Sequence, residues 1–246
     1  MILLGIDIGG SSIKSAPVDT DAGQLTGPAI ARPTPKPATP AAVARVVGEL
    51  ATASATSGPV GIGLPSVIKQ GRVCTAANID PSWIGVDAPR LMSDAVRRRC
   101  VVLNDADAAG IAELRFGAGR TLTGTVIVLT IGTGIGSAIF IDGVLLPNTE
   151  FGHLEIGGVD AELRASGRAR IERGLSWADW ARALNEFLEH MQRLFWPDAF
   201  ILCGGVTENY HEFGHLLRSA AAIVPGDLRQ DAGIVGAALA AAQAHL

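Results

Sequence analysis

Apolar residues recur along the chain with a spacing that switches between two and about 3.6, so strands and helices alternate. Ile2–Ile8 is a nearly continuous apolar run and predicts a buried strand. Residues 13–18 predict its hairpin partner across Gly9-Gly10-Ser11-Ser12. A proline-rich loop, 34–40, follows. Thr39 then caps a helix with Pro40 at its first position, and Val43, Val46, Val47 and Leu50 line one face. Val60–Leu64 predicts a strand, and Asp87 caps a helix that ends in Arg97-Arg98-Arg99. Residues 100–103 predict a strand running into Asn104-Asp105, and 106–116 a helix stopped by Gly117. The second half starts with Thr125–Ile131, a turn at 132–134 and a strand over 135–142. Ser176 caps a long helix, with Trp177, Trp180, Leu184, Phe187, Leu188, Met191 and Leu194 on its inner side and Pro197 at its end. Residues 200–203 predict a strand leading to Gly204-Gly205, and Asp231 caps a closing alanine-rich helix.

The two glycine hairpins share more than a pattern. IDIGGSSIKSAPVD and LTIGTGIGSAIFID align without a gap at an offset of 123 residues, half the chain, matching Ile8, Gly9 and Asp19 to Ile131, Gly132 and Asp142. This predicts an internal duplication: two related α/β lobes facing a cleft. The expected division is 1–106 with the closing helix 232–246 as the smaller lobe, and 107–231 as the larger.

Composition narrows the classes. The 246 residues are 48% hydrophobic and 18% charged, ample for a large core. A net charge of −4 leaves no basic footprint for nucleic acid. Cys74, Cys100 and Cys203 are few and far apart, and read as reduced core thiols of a cytoplasmic protein. The first residues predict no secretory leader. The most apolar segment, 125–141, is broken by Gly132, Gly134 and Gly136, which predicts strands and a turn and no membrane partner.

Candidate chemistry gathers at the turns. Neither a P-loop nor a dinucleotide fingerprint occurs, since no lysine follows a glycine and the 132–136 glycines lead into a strand. Bare backbone N–H groups in two glycine hairpins can still cradle phosphate, whereas an ordinary tight turn needs the glycines but not the acid Asp7. In Asn104-Asp105-Ala106-Asp107 only one acid is needed to cap the helix, so the surplus carboxylate suggests a catalytic one at a strand's carboxyl end. Glu150, His153 and Glu155 suit a polyhydroxyl ligand or, equally, a solvated loop. His211-Glu212-Phe213-Gly214-His215 matches a zinc-peptidase motif, but Gly214 weakens the helix and no third ligand follows. The arginines at 97–99 read as a solvated helix end. Arg164, Arg168, Arg170 and Arg173 suit either an anionic polymer or a charged helix.

Taken together, Asp7-Ile8-Gly9-Gly10, Asn104-Asp105-Ala106-Asp107, residues 130–136, Glu150-x-Gly152-His153 and Gly204-Gly205 resemble the ROK sugar kinases. RPTPKPATP, TAANID, PNTEFGHLEI, GLSWADWA and DAGIVGAA are similar to the polyphosphate-glucokinase branch of that family. The resemblance implies an α/β fold of two ribonuclease-H-like lobes, of the actin–hexokinase–Hsp70 superfamily, around a cleft. It implies phosphoryl transfer from polyphosphate, ATP or both to the 6-hydroxyl of glucose or a related hexose. It assigns Asp105 as general base, and Asn78, Asn104, Glu150, His153 and Glu162 as sugar contacts. Asp7, Gly9, Gly10, Ser11, Lys14, Thr130, Gly132, Thr133, Gly134, Gly204 and Gly205 match phosphate-binding positions, with Asp7 holding Mg2+ through water. A cytoplasmic homodimer is implied.

There are departures from the pattern. No cysteine lies between Cys100 and Cys203, so structural zinc is not expected. Pro65-Ser66 stands where the family usually has Pro-Gly, and Glu208 where the polyphosphate branch often has lysine. The alternatives are an ATP-only hexokinase of different sugar choice, or a catalytically silent sugar sensor on the same scaffold.

Overall fold

The N-terminal apolar run forms β1 (Ile2–Ile8), buried on both faces, as in a sheet covered on both sides. The structure is a computed structural model and describes residues 1–244. Residues 245 and 246, assigned above to the closing helix, lie outside the described residues. The chain divides into two compact units, Met1–Ala112 with the chain from Asp231 onward, and Glu113–Gln230.

In the first unit, β2 (Ser12–Asp19) returns antiparallel to β1, and β3 (Gln24–Leu25) and β4 (Ile30–Pro33) both pair with β2. On the other side, β5 (Val60–Leu64) and β6 (Cys100–Asn104) add in parallel, giving the order β3-β2-β1-β5-β6. Thr39 caps α1 (Pro40–Thr52) by accepting the Ala42 N–H, and Asp87 caps α2 (Ala88–Val96). Val43, Val47, Leu50 and Met92 from these helices join Leu4, Ile6 and Ile62 in one core. The last helix, α7 (Ala232–Gln243), packs on β1 and β5. It sits so close that a Cβ on Gly5 or Gly61 would collide with the carbonyls of Ile234 and Ala237.

The second unit repeats this plan. β7 (Thr125–Ile131), β8 (Ile135–Ile141) and β9 (Val144–Thr149) run antiparallel, and β10 (Ala199–Cys203) and β11 (Ala222–Pro225) extend the sheet in parallel from β7. The order is β9-β8-β7-β10-β11. α3 (Asp105–Phe116) carries the chain out of the first unit. The short helices α4 (Glu162–Ala165) and α5 (Gly167–Glu172) precede α6 (Trp177–Phe195), whose Trp180, Leu184, Phe187, Leu188 and Met191 are buried. The Glu113 side chain is wholly buried, and its carboxylate accepts the N–H groups of Ala118, Asp227 and Leu228 at 2.9–3.1 Å.

Several expectations need correction. Ile8 pairs with Ile13, but Ile131 pairs with Ile135, so the first hairpin turn is one residue longer. The gapless alignment therefore slips after the turn, and the counterpart of Asp19 is Ile141, not Asp142. Leu194 is 62% exposed rather than inward, since in the last turn of α6 it is Phe195 that packs against the core. Asp231 sits in a 3-10 turn and makes no side-chain cap among the described residues. Arg98 is not solvated but donates to the Thr56 carbonyl. Cys74 is exposed, so only Cys100 and Cys203 are core thiols. No helix among the described residues is long and apolar enough to cross a membrane.

Candidate active site

The first unit gathers its candidates at the carboxyl ends of three neighbouring strands. Asp7 on β1 pairs with Gly63 on β5, and Leu64 pairs with Asn104 on β6. A Cβ on Gly63 would stand 3.6 Å from Asp7 Oδ1 and 3.7 Å from Asp105 Cβ, so the two acids flank a strand kept bare. Asn104 is the cap of α3: its Oδ1 accepts from the Ala106 and Asp107 N–H groups at 2.8 and 3.0 Å. Neither acid is therefore needed as the cap. Asp107 is buried, while Asp105 keeps part of its surface in solvent and takes a 2.9 Å hydrogen bond from the Ala106 N–H. The Asn104 amide in turn donates to the Ser66 carbonyl at 3.3 Å.

Asp7 opens onto the first glycine turn, which closes with the Gly9 N–H donating to the Ser12 carbonyl at 2.9 Å. Gly233, in the first turn of α7, comes so near that a Cβ there would lie 2.8 Å from Asp7 Cγ. Burial in this packing pushes the Asp7 carboxyl up to about 6, against the pull of Lys14, which faces it across the β1–β2 pair. Gly10, Ser11 and Lys14 follow in the same hairpin, and Asn78 is half-buried in the irregular segment before Asp80.

The second unit builds its candidates around Ile135, the first residue after the other glycine turn. Glu162, nearly buried on α4, accepts the Ile135 N–H at 3.2 Å. Gly152 lies directly on the Ile135 carbonyl, where any side chain would collide, and so fixes Glu150 and His153 beside it. His153 Nδ1 meets Asp160 Oδ2 at 3.0 Å, and its Nε2 stands 3.7 Å from Glu150 Oε2. Burial pushes the Glu150 carboxyl above its usual range, while His153 pulls it back. Burial lowers the His153 pKa, but the Asp160 hydrogen bond and the charges of Glu162, Glu150 and Asp160 outweigh it, so His153 protonates more readily than usual.

The phosphate candidates share this scaffold. Thr130 is the last but one residue of β7, the Gly132 N–H closes its turn on the Gly134 carbonyl at 3.0 Å, and Thr133 lies between them. Gly204 adopts φ 87° and packs on Ile131, which sets Gly204-Gly205 beside the same strand end. Gly167 and Arg168 also touch this turn: the Arg168 N–H donates to the Gly132 carbonyl at 3.1 Å. Two of the four arginines are already engaged, because Arg164 pairs with Glu186 at 2.5 Å and Arg170 stacks 3.5 Å over the Trp177 ring. Asp160 escaped sequence reasoning, since nothing in its short Gly157-Gly158 hairpin marks it as the partner of His153.

The residues fit a magnesium ion brought in with phosphate better than a resident ion. Among the described residues no cluster of three or more His, Cys, Asp or Glu side chains could cage a metal. Mg2+ needs no such cage, as it keeps several waters and uses one or two carboxylates plus substrate oxygens. A carboxylate raised by burial, as Asp7 is, regains its charge when a cation arrives.

A duplicated sheet with a glycine hairpin in each copy, and acids at the strand ends, describes the actin–hexokinase–Hsp70 type of kinase fold. Residues 3–170 match the ROK family, and the chain belongs to it. It is 46% identical to the polyphosphate glucokinase of Mycobacterium tuberculosis over 237 residues, 96% of this chain and 89% of that protein. It superposes on the inorganic polyphosphate/ATP-glucomannokinase of Arthrobacter sp. strain KM with a TM-score of 0.96 at 47% identity, covering 99% of each chain. A ROK family glucokinase from Streptomyces griseus, solved in complex with glucose and AMPPNP, matches at a TM-score of 0.86 and 27% identity, over 99% of this chain and 100% of that one.

Proposed function

We propose that this chain transfers a phosphoryl group from polyphosphate, ATP or both to the 6-hydroxyl of glucose. The observation that carries the reading is the division of labour at the start of α3: Asn104 does the capping and leaves Asp105 as an acid with no structural duty as the cap. Phosphoryl transfer asks for positioning and charge stabilisation more than covalent chemistry. In this reading Asp105 accepts the proton of the 6-hydroxyl. Asn78, Asn104, Glu150, His153 and Glu162 hold the other hydroxyls, with Asp160 fixing the His153 ring so that Nε2 faces Glu150. The turns at Gly9-Gly10-Ser11, Thr130–Gly134 and Gly204-Gly205 receive donor phosphates through backbone N–H groups, helped by Lys14. Asp7 would hold Mg2+ through water, and the ion supplies charge neutralisation on the donor.

Polyphosphate is a row of closely spaced negative charges, and arginine grips such oxygens in pairs. Arg168, anchored at the Gly132 turn, and the exposed Arg173 are the arginines of this stretch that suit it. Glu208, whose carboxylate accepts from the neutral Gln230 amide, keeps its negative charge beside the Gly204-Gly205 turn and opposes it. A cytoplasmic homodimer completes the proposal. The exposed Ile141, Val144 and Leu146 on the β8–β9 hairpin, and Leu194 and Trp196 at the end of α6, are apolar surface that a second copy would cover.

A panel crossing glucose, mannose and other hexoses with ATP and polyphosphate tests the reading. Glucose 6-phosphate formed with either donor is expected. Activity with ATP and none with polyphosphate of any length would leave an ATP-dependent hexokinase. No product with any pair would favour a silent sensor.

A further inference from the structure

Ser66 is a polar residue that the fold does not explain. It follows the carboxyl end of β5, which lies parallel to β6 with Leu64 opposite Asn104. Its backbone is held on both sides: the N–H donates to the Leu64 carbonyl at 2.7 Å, and the carbonyl accepts from the Asn104 amide at 3.3 Å. The residue is 1% exposed, yet its Oγ has no hydrogen-bond partner among the described residues. Leaving a buried hydroxyl unpaired costs free energy that an alanine of nearly the same shape would avoid. Unpaired buried polar atoms are rare and call for a partner that the free protein lacks. This one stands where ligands of parallel α/β sheets collect, and it is tied to the residue that precedes Asp105.

We infer that the Ser66 hydroxyl is a sugar-recognition contact, pairing with a ring hydroxyl of the bound hexose. The ligand class follows from the chemistry. A neutral hydroxyl with one donor and two acceptor sites suits another hydroxyl, whereas a phosphate would call for cations or several N–H groups, and the partners of the Ser66 backbone, the Leu64 carbonyl and the Asn104 amide, are neutral. Being pinned at its own N–H and C=O, Ser66 presents its Oγ with little freedom to lose on binding, so it discriminates between sugars by one fixed hydrogen bond. Sites built to hydrogen-bond a substrate hydroxyl reject the analogue that lacks it, because their own buried group is then left unpaired.

The inference rests on the hexose-kinase reading, and calorimetry of hexose binding separates the two. Glucose and its 2-, 3-, 4- and 6-deoxy analogues would be titrated into the full-length wild type and into Ser66→Ala, with melting temperatures measured in the absence of sugar. Ser66→Ala should weaken glucose binding roughly 3–10-fold, and should lose nothing further with the one analogue that lacks the partner hydroxyl. Its melting temperature should stay level or rise, since no native hydrogen bond is removed. Unchanged glucose affinity overturns the inference, as does an equal loss across every analogue or a lowered melting temperature with no sugar selectivity. A wild type that binds glucose without phosphorylating it would sink the kinase reading and leave Ser66 standing, while a wild type that binds no hexose overturns both. Ser66→Thr, which keeps the hydroxyl, serves as the rescue: it should retain the analogue profile of the wild type if its methyl is accommodated, and the Ser66→Ala result decides the matter in either case.

Discussion

Replacing Asp7 by asparagine should make the protein more stable and the enzyme inactive. The carboxyl rises from an ordinary 3.8 to about 6 because burial penalises its charge more than Lys14 favours it. A shift of this size, at about 1.4 kcal/mol per pH unit, means that the ionised side chain costs the free protein about 3 kcal/mol near neutrality. The sign follows from proton binding. The folded state holds this proton more tightly than the unfolded state, so the favourable contribution is complete at low pH. It declines as pH rises from about 4 to about 6 and stays lost above that. Asparagine has nothing to ionise and removes the cost, although it also gives up the attraction to Lys14, which trims the gain to about 1–3 kcal/mol. Calorimetric melts between pH 4.5 and 8 would read this directly. The variant should melt a few degrees above the wild type at pH 7.5, and the gap should close towards pH 4.5. Mg2+ alone should raise the wild-type melt at pH 7.5 and leave the variant where it is, while turnover of the variant collapses. A variant that melts lower than the wild type at pH 7.5, or by a margin independent of pH, would refute the burial argument.

Other substitutions probe the remaining parts. Asp105→Asn should lower kcat by about 10²–10⁴-fold with glucose affinity by calorimetry nearly unchanged; a large affinity loss with kcat intact would make Asp105 a binding residue only. Asp160→Asn should return the His153 pKa towards its usual value and weaken glucose binding, which an NMR titration of the ring and a binding isotherm would follow together. Glu113→Gln puts an amide against backbone donors that now meet a carboxylate, and urea unfolding should show a loss of about 3 kcal/mol. The KM for polyphosphate should climb with salt, and Arg168→Ala should raise it more than the KM for ATP; equal effects on both donors would remove Arg168 from any polyphosphate track.

Much of the fold could be read from the chain because its strands are unusually plain. β5 and β10 are buried throughout and appear as short apolar runs, β1 is apolar but for Asp7, and Thr39, Asp87 and Ser176 cap α1, α2 and α6. The duplication was legible in the hairpins, but not their register, since a turn one residue longer leaves no mark in composition. Of the candidate site, Asn104, Asp105, Glu150 and His153 stand out as an amide, two acids and an imidazole at strand or turn ends. Their supports do not. Asp160 reaches His153 only because a short hairpin folds the chain back, which no apolar pattern marks, and Ser66 depends on a parallel neighbour some 40 residues on, a distance over which local pattern carries no information. The arginine stretch is left open by the sequence, and the structure adds that Arg164 pairs with Glu186 and Arg170 stacks on Trp177, contacts made with the next helix.

The bare backs of Gly5 and Gly61, against which α7 lies, set an order on synthesis. The second unit is one continuous stretch, Glu113–Gln230, all of which has been translated before the closing helix of the first unit. The first unit is made of the beginning and the end of the chain, and its sheet waits for a helix translated more than two hundred residues after β1. Contacts so distant in sequence form late, and an incomplete sheet of apolar strands is a hazard while it waits. The first unit can therefore close its core only after synthesis is nearly finished, and a message cut short before codon 232 leaves β1 and β5 without the helix that packs on them.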